Sequence, residues 1–411
     1  MQLLLAAFLA LLGHAEDQHP GLTIDQWVEA ANKARNAVIV ELPRSYDPNG
    51  TSSNGEDPSS TNTFVKLDPQ LETAPAVKGI YVTAHSANGS RMETLLKLLD
   101  ETELNAMVID VKEDHGYITF NTDNEQLNQL GTINPIISDV DELMTELEQH
   151  QIYPIARIVV FKDTILANKK PEWSFLNPDG TVWHNEKSNP ESFVNPYVKE
   201  IWDYNIEVAK EAAKHGFKEI QFDYVRFPEG FERRADILRY KQDDRKRIEA
   251  VSDFVRYARE QLEPLGIRVS VDIFGYAASV DAAEGIGQDF NQISQYVDVI
   301  SPMIYPSHYS TGWFGSTVPD AAPYTTISGA MADTHAKLAE IEQLKPIIRP
   351  WIQDFTATWV DGHITYGKNE LEAQIKALKD HDVEEFLLWN SGNRYTENVD
   401  YDLDGQLNDN E

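Results

Sequence analysis

The sequence predicts an α/β fold, a (β/α)8 TIM barrel with a short N-terminal extension and a flexible linker, and three observations carry this prediction. Eight apolar segments of strand length, rich in β-branched and aromatic residues, follow one another from residue 77 onward. Amphipathic segments of helical period separate them, and some end in residues that stop helices, such as Gly216 and Pro264. Eight alternations over about 320 residues match such a barrel in number and size.

Each element follows from this alternation. The predicted strands are Gly79–Ala84, Ala106–Lys112, Tyr153–Phe161, Glu219–Phe227, Arg268–Gly275, Asp298–Tyr305, Pro346–Gln353 and Glu385–Asn390. The predicted helices are Met92–Glu103, Val140–His150, Tyr197–His215, Arg245–Leu262, Ile286–Tyr296, Ser328–Leu344 and Glu370–His381. No evident helix follows the eighth strand, so the amphipathic segment Ile24–Ala37 is our candidate to complete the ring.

The segments that flank the barrel differ from it in composition. Residues 1–15 are mostly apolar, end in small residues and resemble a signal peptide cleaved after Ala15. Residues 16–43 form the N-terminal helical segment, 44–76 a polar linker, 77–397 the barrel and 398–411 an acidic tail. We therefore expect a secreted or cell-envelope protein; the alternative is that the first apolar run is a buried helix.

The composition excludes several kinds of partner and chemistry. A net charge of −32 argues against nucleic-acid binding, which needs clustered Lys and Arg. The apolar run at residues 1–12 is too short to anchor the chain, so no stable membrane insertion is expected. The chain has no cysteine, and its 11 histidines include no His-x-His pair on a predicted strand, which argues against a cysteine nucleophile or an amidohydrolase-type metal site.

The most informative segment is the fourth predicted strand, Glu219–Phe227. Asp223 and Arg226 interrupt its apolar residues, and Pro228 is predicted to end it, so both charges lie where the strand leaves the barrel. This end of the strands carries the catalytic groups of (β/α)8 enzymes, and a buried carboxylate is costly unless it is paired or used. A structural Asp223–Arg226 ion pair is the alternative.

Carboxylates at other strand ends would converge with Asp223. Period-two alternation puts Asp110 and Lys112 on one face of the second strand and sets Asp272 opposite its apolar neighbours. Two carboxyl groups around one cleft, one ionised and one with a raised pKa, are what glycoside hydrolysis needs. We predict Asp223 as nucleophile or electrostatic stabiliser and Asp272 as acid/base. The other carboxylates considered for these roles are Asp354, Asp110 and Glu113.

Polar and aromatic side chains near the same strand ends are the predicted substrate-binding groups. They are Arg157, Arg226, Tyr305, Trp351, Gln353, Trp389, Asn390 and Lys112. Either Arg157 or Arg226 is expected to hold Asp223 ionised. The loops after the third, sixth and seventh strands add Trp173, Trp183, Trp313 and Trp359. Tryptophans exposed on one rim would stack on sugar rings; the alternative is that they fold into local apolar clusters.

The acidic tail fits a twelve-residue calcium loop, with oxygen ligands at positions 1, 3 and 5, glycine at position 6 and glutamate at position 12. The predicted metal ligands are Asp400, Asp402, Asp404 and Glu411. Calcium would be a structural ion here, and no cofactor is expected to be required for catalysis.

Six motifs give the chain a family resemblance: KGIYVT (78–83), AMVIDVK (106–112), QFDYVRFP (221–228), SVDIFG (270–275), SPMIYP (301–306) and LWNSGN (388–393). Through them, residues 77–395 resemble a family of secreted bacterial TIM-barrel domains described as glycoside hydrolases. The resemblance implies a distant similarity to α-amylase- and α-galactosidase-like barrels, whose nucleophile is an aspartate of the fourth strand, matched by Asp223. Amylase-like relatives use a glutamate after the fifth strand as the acid; Asp272 is the nearest match and is shorter, so the acid/base assignment stays open.

The sequence therefore predicts a glycoside hydrolase that acts on a polysaccharide or oligosaccharide through a carboxylate pair centred on Asp223. A non-catalytic carbohydrate-binding barrel of the cell envelope is the alternative, because it would keep the rim tryptophans without needing that pair. A deacetylase or lyase fits less well, since the sequence lacks the corresponding metal site or base pattern. The sequence fixes neither the sugar nor the oligomeric state.

Overall fold

Parallel strands close into a ring in the computed structural model, which describes residues 76–185, 190–342 and 345–403. The strands are β1 (Lys78–Val82), β2 (Ala106–Lys112), β3 (Tyr153–Val159), β4 (Glu219–Asp223), β5 (Arg268–Phe274), β6 (Val299–Met303), β7 (Ile347–Ile348), β8 (Trp351–Gln353) and β9 (Phe386–Trp389). The α-helices are α1 (Gly89–Asp100), α2 (Glu125–Leu130), α3 (Val140–Gln149), α4 (Thr164–Lys169), α5 (Lys199–Lys214), α6 (Arg247–Leu262), α7 (Phe290–Ser294), α8 (Pro323–Ala339) and α9 (Lys368–Lys379).

The strand order confirms the (β/α)8 barrel. Strands β1 to β6 pair in sequence order, β6 pairs with both β7 and β8, and β9 joins β8 to β1. The seventh barrel strand is thus divided into β7 and β8 at Arg349 and Pro350. Proline lacks the N–H that would continue the ladder there.

The observed end of strand β4 differs from the predicted one. Strand β4 ends at Asp223, so the predicted extension to Phe227 and termination at Pro228 are wrong. The physical reason is local: Tyr224 adopts a positive φ of 50°, which no strand residue adopts. The seven predicted helices are present with shifted ends, whereas the six-residue helices α2 and α4 were not predicted.

Two apolar regions result from strand alternation. Residues such as Ile109, Phe222 and Ile273 pack with helix residues in the large core between sheet and helices. A second, smaller cluster contains strand residues that point the other way, including Val108 and Trp351, and fills part of the barrel interior. The interior also holds polar groups, and it is these that form the candidate site.

After β9 the chain continues as a non-helical segment, residues 390–403, which we call the C-terminal strap. Val399, Tyr401 and Leu403 of the strap are buried in the large core. The carboxylate of Asp402 pairs with Lys78 of β1. The predicted Ile24–Ala37 helix, the signal-like residues 1–15 and all of the linker except Ala76 lie outside the described residues, so their predictions stand as such. Within the described ranges no helix is long and apolar enough to cross a membrane.

Candidate active site

One buried arginine joins three carboxylates at the carboxyl ends of β2, β3 and β4. Arg157 donates from Nη1 to Asp110 Oδ1 at 2.6 Å, and from Nη2 to Asp114 Oδ1 at 2.9 Å. It also donates to Asp223 Oδ2, from Nη2 at 2.6 Å and from Nε at 3.0 Å. We call these four residues the Arg157 cluster. Asp110 and Asp223 are buried, whereas the Asp114 side chain is 42% exposed and marks the solvent side.

Strand register explains why these side chains meet. Asp110 lies opposite Arg157 in the β2–β3 ladder, and Val159 lies opposite Asp223 in the β3–β4 ladder. Because β4 ends at Asp223, its carboxylate sits at the edge of the barrel, and the backbone N–H of Tyr224 donates to Asp223 Oδ1 at 2.5 Å. These contacts place the carboxylates of Asp110 and Asp223 inside the barrel, beside the Arg157 guanidinium.

Burial and charge act differently on the carboxylates around Arg157. Burial raises the pKa of Asp110 to about 6, against the attraction of Arg157. Its Oδ2 accepts a 2.5 Å hydrogen bond from the Tyr81 hydroxyl. Burial also acts to raise the pKa of Asp114, but the charges of Arg157 and Lys162 outweigh it and lower that pKa to about 2.

Asp272 lies deeper in the barrel and has neutral partners. Its Oδ1 accepts from Gln221 Nε2 and from Trp351 Nε1, both at 2.7 Å, and Gln221 also donates to Ser301 at 3.0 Å. Burial, followed by the charge of Asp223, raises the pKa of Asp272 well above its ordinary value. The charge of Asp223 therefore acts on Asp272 inside the barrel.

Aromatic rings cover the Arg157 cluster. Trp389 stacks on Tyr81 with ring centroids 4.2 Å apart, and it lies 5.5 Å from Trp351 and 6.4 Å from Tyr305. The Arg157 guanidinium is 5.6 Å from the Trp389 ring. Of the predicted substrate-binding residues, Arg157, Tyr305, Trp351 and Trp389 thus lie around the carboxylates.

Two predicted binding residues have other partners. Lys112 forms a salt bridge with Asp163 at 2.8 Å and donates a hydrogen bond to the Val159 carbonyl at 2.5 Å. The β2–β3 register shifts between Asp110 and Lys112, and this irregularity breaks the alternation of side chains along β2. The prediction that Asp110 and Lys112 share one face of the strand is therefore wrong. Arg226 pairs with Glu229 at 3.3 Å, and so Arg157 rather than Arg226 is the cation that holds Asp223.

Four further predicted residues make contacts that stabilise loops and turns. Asp354 accepts from the hydroxyl and backbone N–H of Thr396 at 2.5 and 3.0 Å. Gln353 bonds to Ser307 and Asp320, each at 3.0 Å. Asn390 donates to the carbonyls of Asp354 and Arg394. Glu113 accepts from two backbone N–H groups of its own turn, both at 3.0 Å. None of these contacts joins them to the Arg157 cluster.

The loop tryptophans divide between the two expected behaviours. Trp183 is buried, and Trp313 packs against Tyr309 and Phe314 in a local aromatic cluster, while Trp173 is half-buried. Trp359 is 44% exposed and is the loop tryptophan that presents a free face.

Only half of the predicted calcium ligands fall in the described residues. Asp402 is paired with Lys78, and Asp400 Oδ1 accepts from the Asp402 N–H at 3.2 Å. Asp404 and Glu411 lie outside the described residues, so calcium binding stays a prediction. Among the residues that the structure covers, no group of three or more His, Asp or Glu is arranged to hold a metal ion.

Sequence reasoning missed several residues of the site. Tyr81 and Asp114 were not chosen, although Tyr81 lies in the first strand and Asp114 follows the second strand directly. Lys162, which bonds to Glu191 at 2.7 Å and to Asp114 at 3.3 Å, extends the cluster toward the loop after β3. Because Lys162 lies in a loop, the periodicity that identifies strands and helices in the sequence could not predict this contact.

Enzymes with a (β/α)8 barrel carry their active sites at the carboxyl ends of the strands, where this chain has buried carboxyl groups that interact with one another. Residues 79–395 match the model of a family described as "putative glycosyl hydrolase domain". The chain therefore belongs to this glycosyl hydrolase family, as the motifs had indicated.

Solved structures resemble the chain to different extents. A hypothetical protein from Ruminiclostridium thermocellum ATCC 27405 is 33% identical over 47% of this chain and 96% of that one, with a TM-score of 0.43. The glycoside hydrolase domain of PgaB (BpsB) from Bordetella bronchiseptica is 12% identical over 78% of this chain and 95% of that one, with a TM-score of 0.53, and shares the fold. The α-galactosidase TtGalA from Thermus thermophilus is 10% identical over 77% and 62%, with a TM-score of 0.46. No curated protein sequence matches the chain.

Proposed function

We propose that this glycoside hydrolase cleaves a polysaccharide or oligosaccharide by means of a carboxylate pair, Asp223 and Asp272. The observation that carries the proposal is the difference between their surroundings. Asp223 is bonded to a guanidinium group, whereas Asp272 is buried among neutral donors. Hydrolysis of a glycosidic bond needs one carboxylate that stays ionised and one carboxyl group that holds its proton.

Asp223 has the role of nucleophile or electrostatic stabiliser. Oδ2 accepts from Arg157 and Oδ1 from the Tyr224 N–H, which fixes the orientation of the carboxylate beside a positive charge. A negative charge held in place at the barrel mouth stabilises the positive charge that develops on the sugar ring.

Asp272 is the better candidate for the acid. Since its Oδ1 accepts from both Gln221 and Trp351, the proton of the neutral acid resides on Oδ2, the oxygen from which a leaving group would take it. Asp110 also has a raised pKa, but its Oδ1 accepts from Arg157 and its Oδ2 from Tyr81. Both oxygens of Asp110 are thus engaged, and Asp110 is a positioning residue for Arg157.

The test is hydrolysis of a panel of cell-wall and storage polysaccharides by the full chain and by Asp223→Asn. We expect the substitution to slow product release by about 10³-fold or more, because a charge-stabilising or covalent group contributes several kcal/mol to the transition state. Asp244→Asn is the matched control, since Asp244 is exposed and distant in sequence from every strand end used here. Binding of a polysaccharide by all three proteins without turnover in any would favour the carbohydrate-binding alternative.

A further inference from the structure

A row of aromatic rings runs from the barrel rim to the Arg157 cluster. Trp359 stacks on Phe355 with centroids 5.9 Å apart and an angle of 21°. Phe355 lies 6.1 Å from Tyr305, which lies 6.4 Å from Trp389 above the cluster. Each ring contacts the next, so the row is continuous with the proposed site of hydrolysis.

The outer end of this row belongs to the loop that follows β8. Residues 354–367 leave the carboxyl end of the strand, the same end at which Asp223 lies. Trp359 is among the few large apolar side chains of the described residues that are exposed, and Phe355 beneath it is half-buried. A tryptophan held in place by stacking, with its other face in solvent, provides a flat apolar platform.

His308, from the loop after β6, adds a polar group beside the row. Its ring lies 5.1 Å from Tyr305, and its Nδ1 is 3.1 Å from the Ser307 hydroxyl. The side chain is exposed to solvent beside the row. A neutral imidazole can exchange hydrogen bonds with a hydroxyl group.

We propose that Trp359, Phe355 and His308 form a second sugar-binding subsite, which holds a glycan chain beyond the unit bound at the Arg157 cluster. The inference rests on the proposed function and names its substrate class: a chain of several sugar units, rather than a single glycoside. An apolar sugar face packs on the tryptophan, and His308 bonds to a hydroxyl at the sugar edge.

Affinity electrophoresis tests the subsite without relying on turnover. Full-length protein migrates through gels that contain hydroxyethyl cellulose, soluble starch, galactomannan, xylan or chitosan, and retardation gives the dissociation constant. We expect at least one polymer to retard the protein, and Trp359→Ala to weaken that binding by about tenfold, since one aromatic contact contributes roughly that factor. Trp359→Phe keeps a ring and should retain most of the affinity.

The control is Tyr324→Ala, which removes an aromatic ring of similar exposure, 38%, from helix α8. Equal retardation of Trp359→Ala and the unsubstituted protein would overturn the inference, as would the absence of retardation by every polymer. Polymer binding that depends on Trp359, without hydrolysis by any variant, would support the subsite while contradicting the proposed function.

Discussion

At the scale of residues, the site depends on how one cation is shared. Arg157 faces Asp110, Asp223 and Asp114, so three carboxyl groups compete for one positive charge in a buried place. At Asp114 the positive charge of Lys162 adds to that of Arg157. At Asp110 the raised pKa favours the neutral, protonated carboxyl group. Asp223 accepts two hydrogen bonds from Arg157, which fix its carboxylate beside the guanidinium group.

The raised pKa of Asp110 makes a prediction about stability. The pKa is about 6 in the folded protein and near 3.8 when unfolded, so protonation favours folding. That contribution is fully present below about pH 4 and is lost as the pH rises through about 6. Relative to Asp110→Asn, the free energy of unfolding of the natural protein should fall by about 3 kcal/mol over this window.

Urea unfolding of both proteins at several pH values between 4 and 7 measures this difference. Asp244→Asn, at an exposed position, should show no comparable change with pH. A difference between Asp110→Asn and the natural protein that does not vary with pH would contradict the prediction.

The placement of Asp110 and Asp223 near strand ends could be predicted from the sequence. Strand alternation gives only the two faces of each strand, so it was their contacts with Arg157 that identified the inward face. The position of Lys112 could not be predicted, since the register shift beside it depends on how β2 and β3 pair. The choice between Arg157 and Arg226 was open for a similar reason: it depended on where β4 ends, and this is set by the backbone of Tyr224.

At the scale of elements, the C-terminal strap occupies the position after β9 where the alternation would place a helix. Its contacts reach both neighbours in the ring: Asp400 N–H donates to Glu372 of α9 at 2.9 Å, and Asp402 pairs with Lys78 of β1. The Tyr401 ring lies 6.3 Å from Phe386 of β9. The sequence contains no helical period there, so the absence of a helix was predictable, but the packing of the strap was not.

Tyr401 allows the contribution of the strap to be measured. Tyr401→Ala should lower the free energy of unfolding by about 3–5 kcal/mol, because it opens a large cavity in the core. Tyr401→Phe should change it little, since the buried hydroxyl has no hydrogen-bond partner. Chemical denaturation of the two variants checks both values, and a similar loss in both would show that the hydroxyl, rather than the ring, matters.

At the scale of the whole molecule, the main electrostatic feature is the net charge of −32. Like charges on the surface repel one another and destabilise the compact state, whereas buried pairs such as Arg157 with Asp223 are screened by salt much less.

The eightfold alternation made the barrel predictable from sequence. Each β-α unit repeats the same pattern, and small errors at the ends of elements do not change the number of units.

Salt should therefore stabilise the protein. We expect the melting temperature to rise as NaCl increases from about 10 mM to about 0.5 M, where screening shortens the range of repulsion from roughly 30 Å to a few ångströms. Scanning calorimetry measures the change, and KCl at equal ionic strength should give the same result. A melting temperature that falls with added salt would mean that surface ion pairs outweigh the repulsion.

The pairing of β1 with β9 has a consequence for biosynthesis. Gly79 lies opposite Leu387, so the first strand finds its second neighbour only after nearly all of the barrel has been translated. At ordinary translation rates this delay is roughly 15 to 60 s. During that time β1 presents an unpaired edge, and so does β8 once it has been translated; such edges are templates for association with other nascent chains. A ribosome-bound chain that stops before residue 386 should therefore need a chaperone, whereas the completed chain closes its own ring.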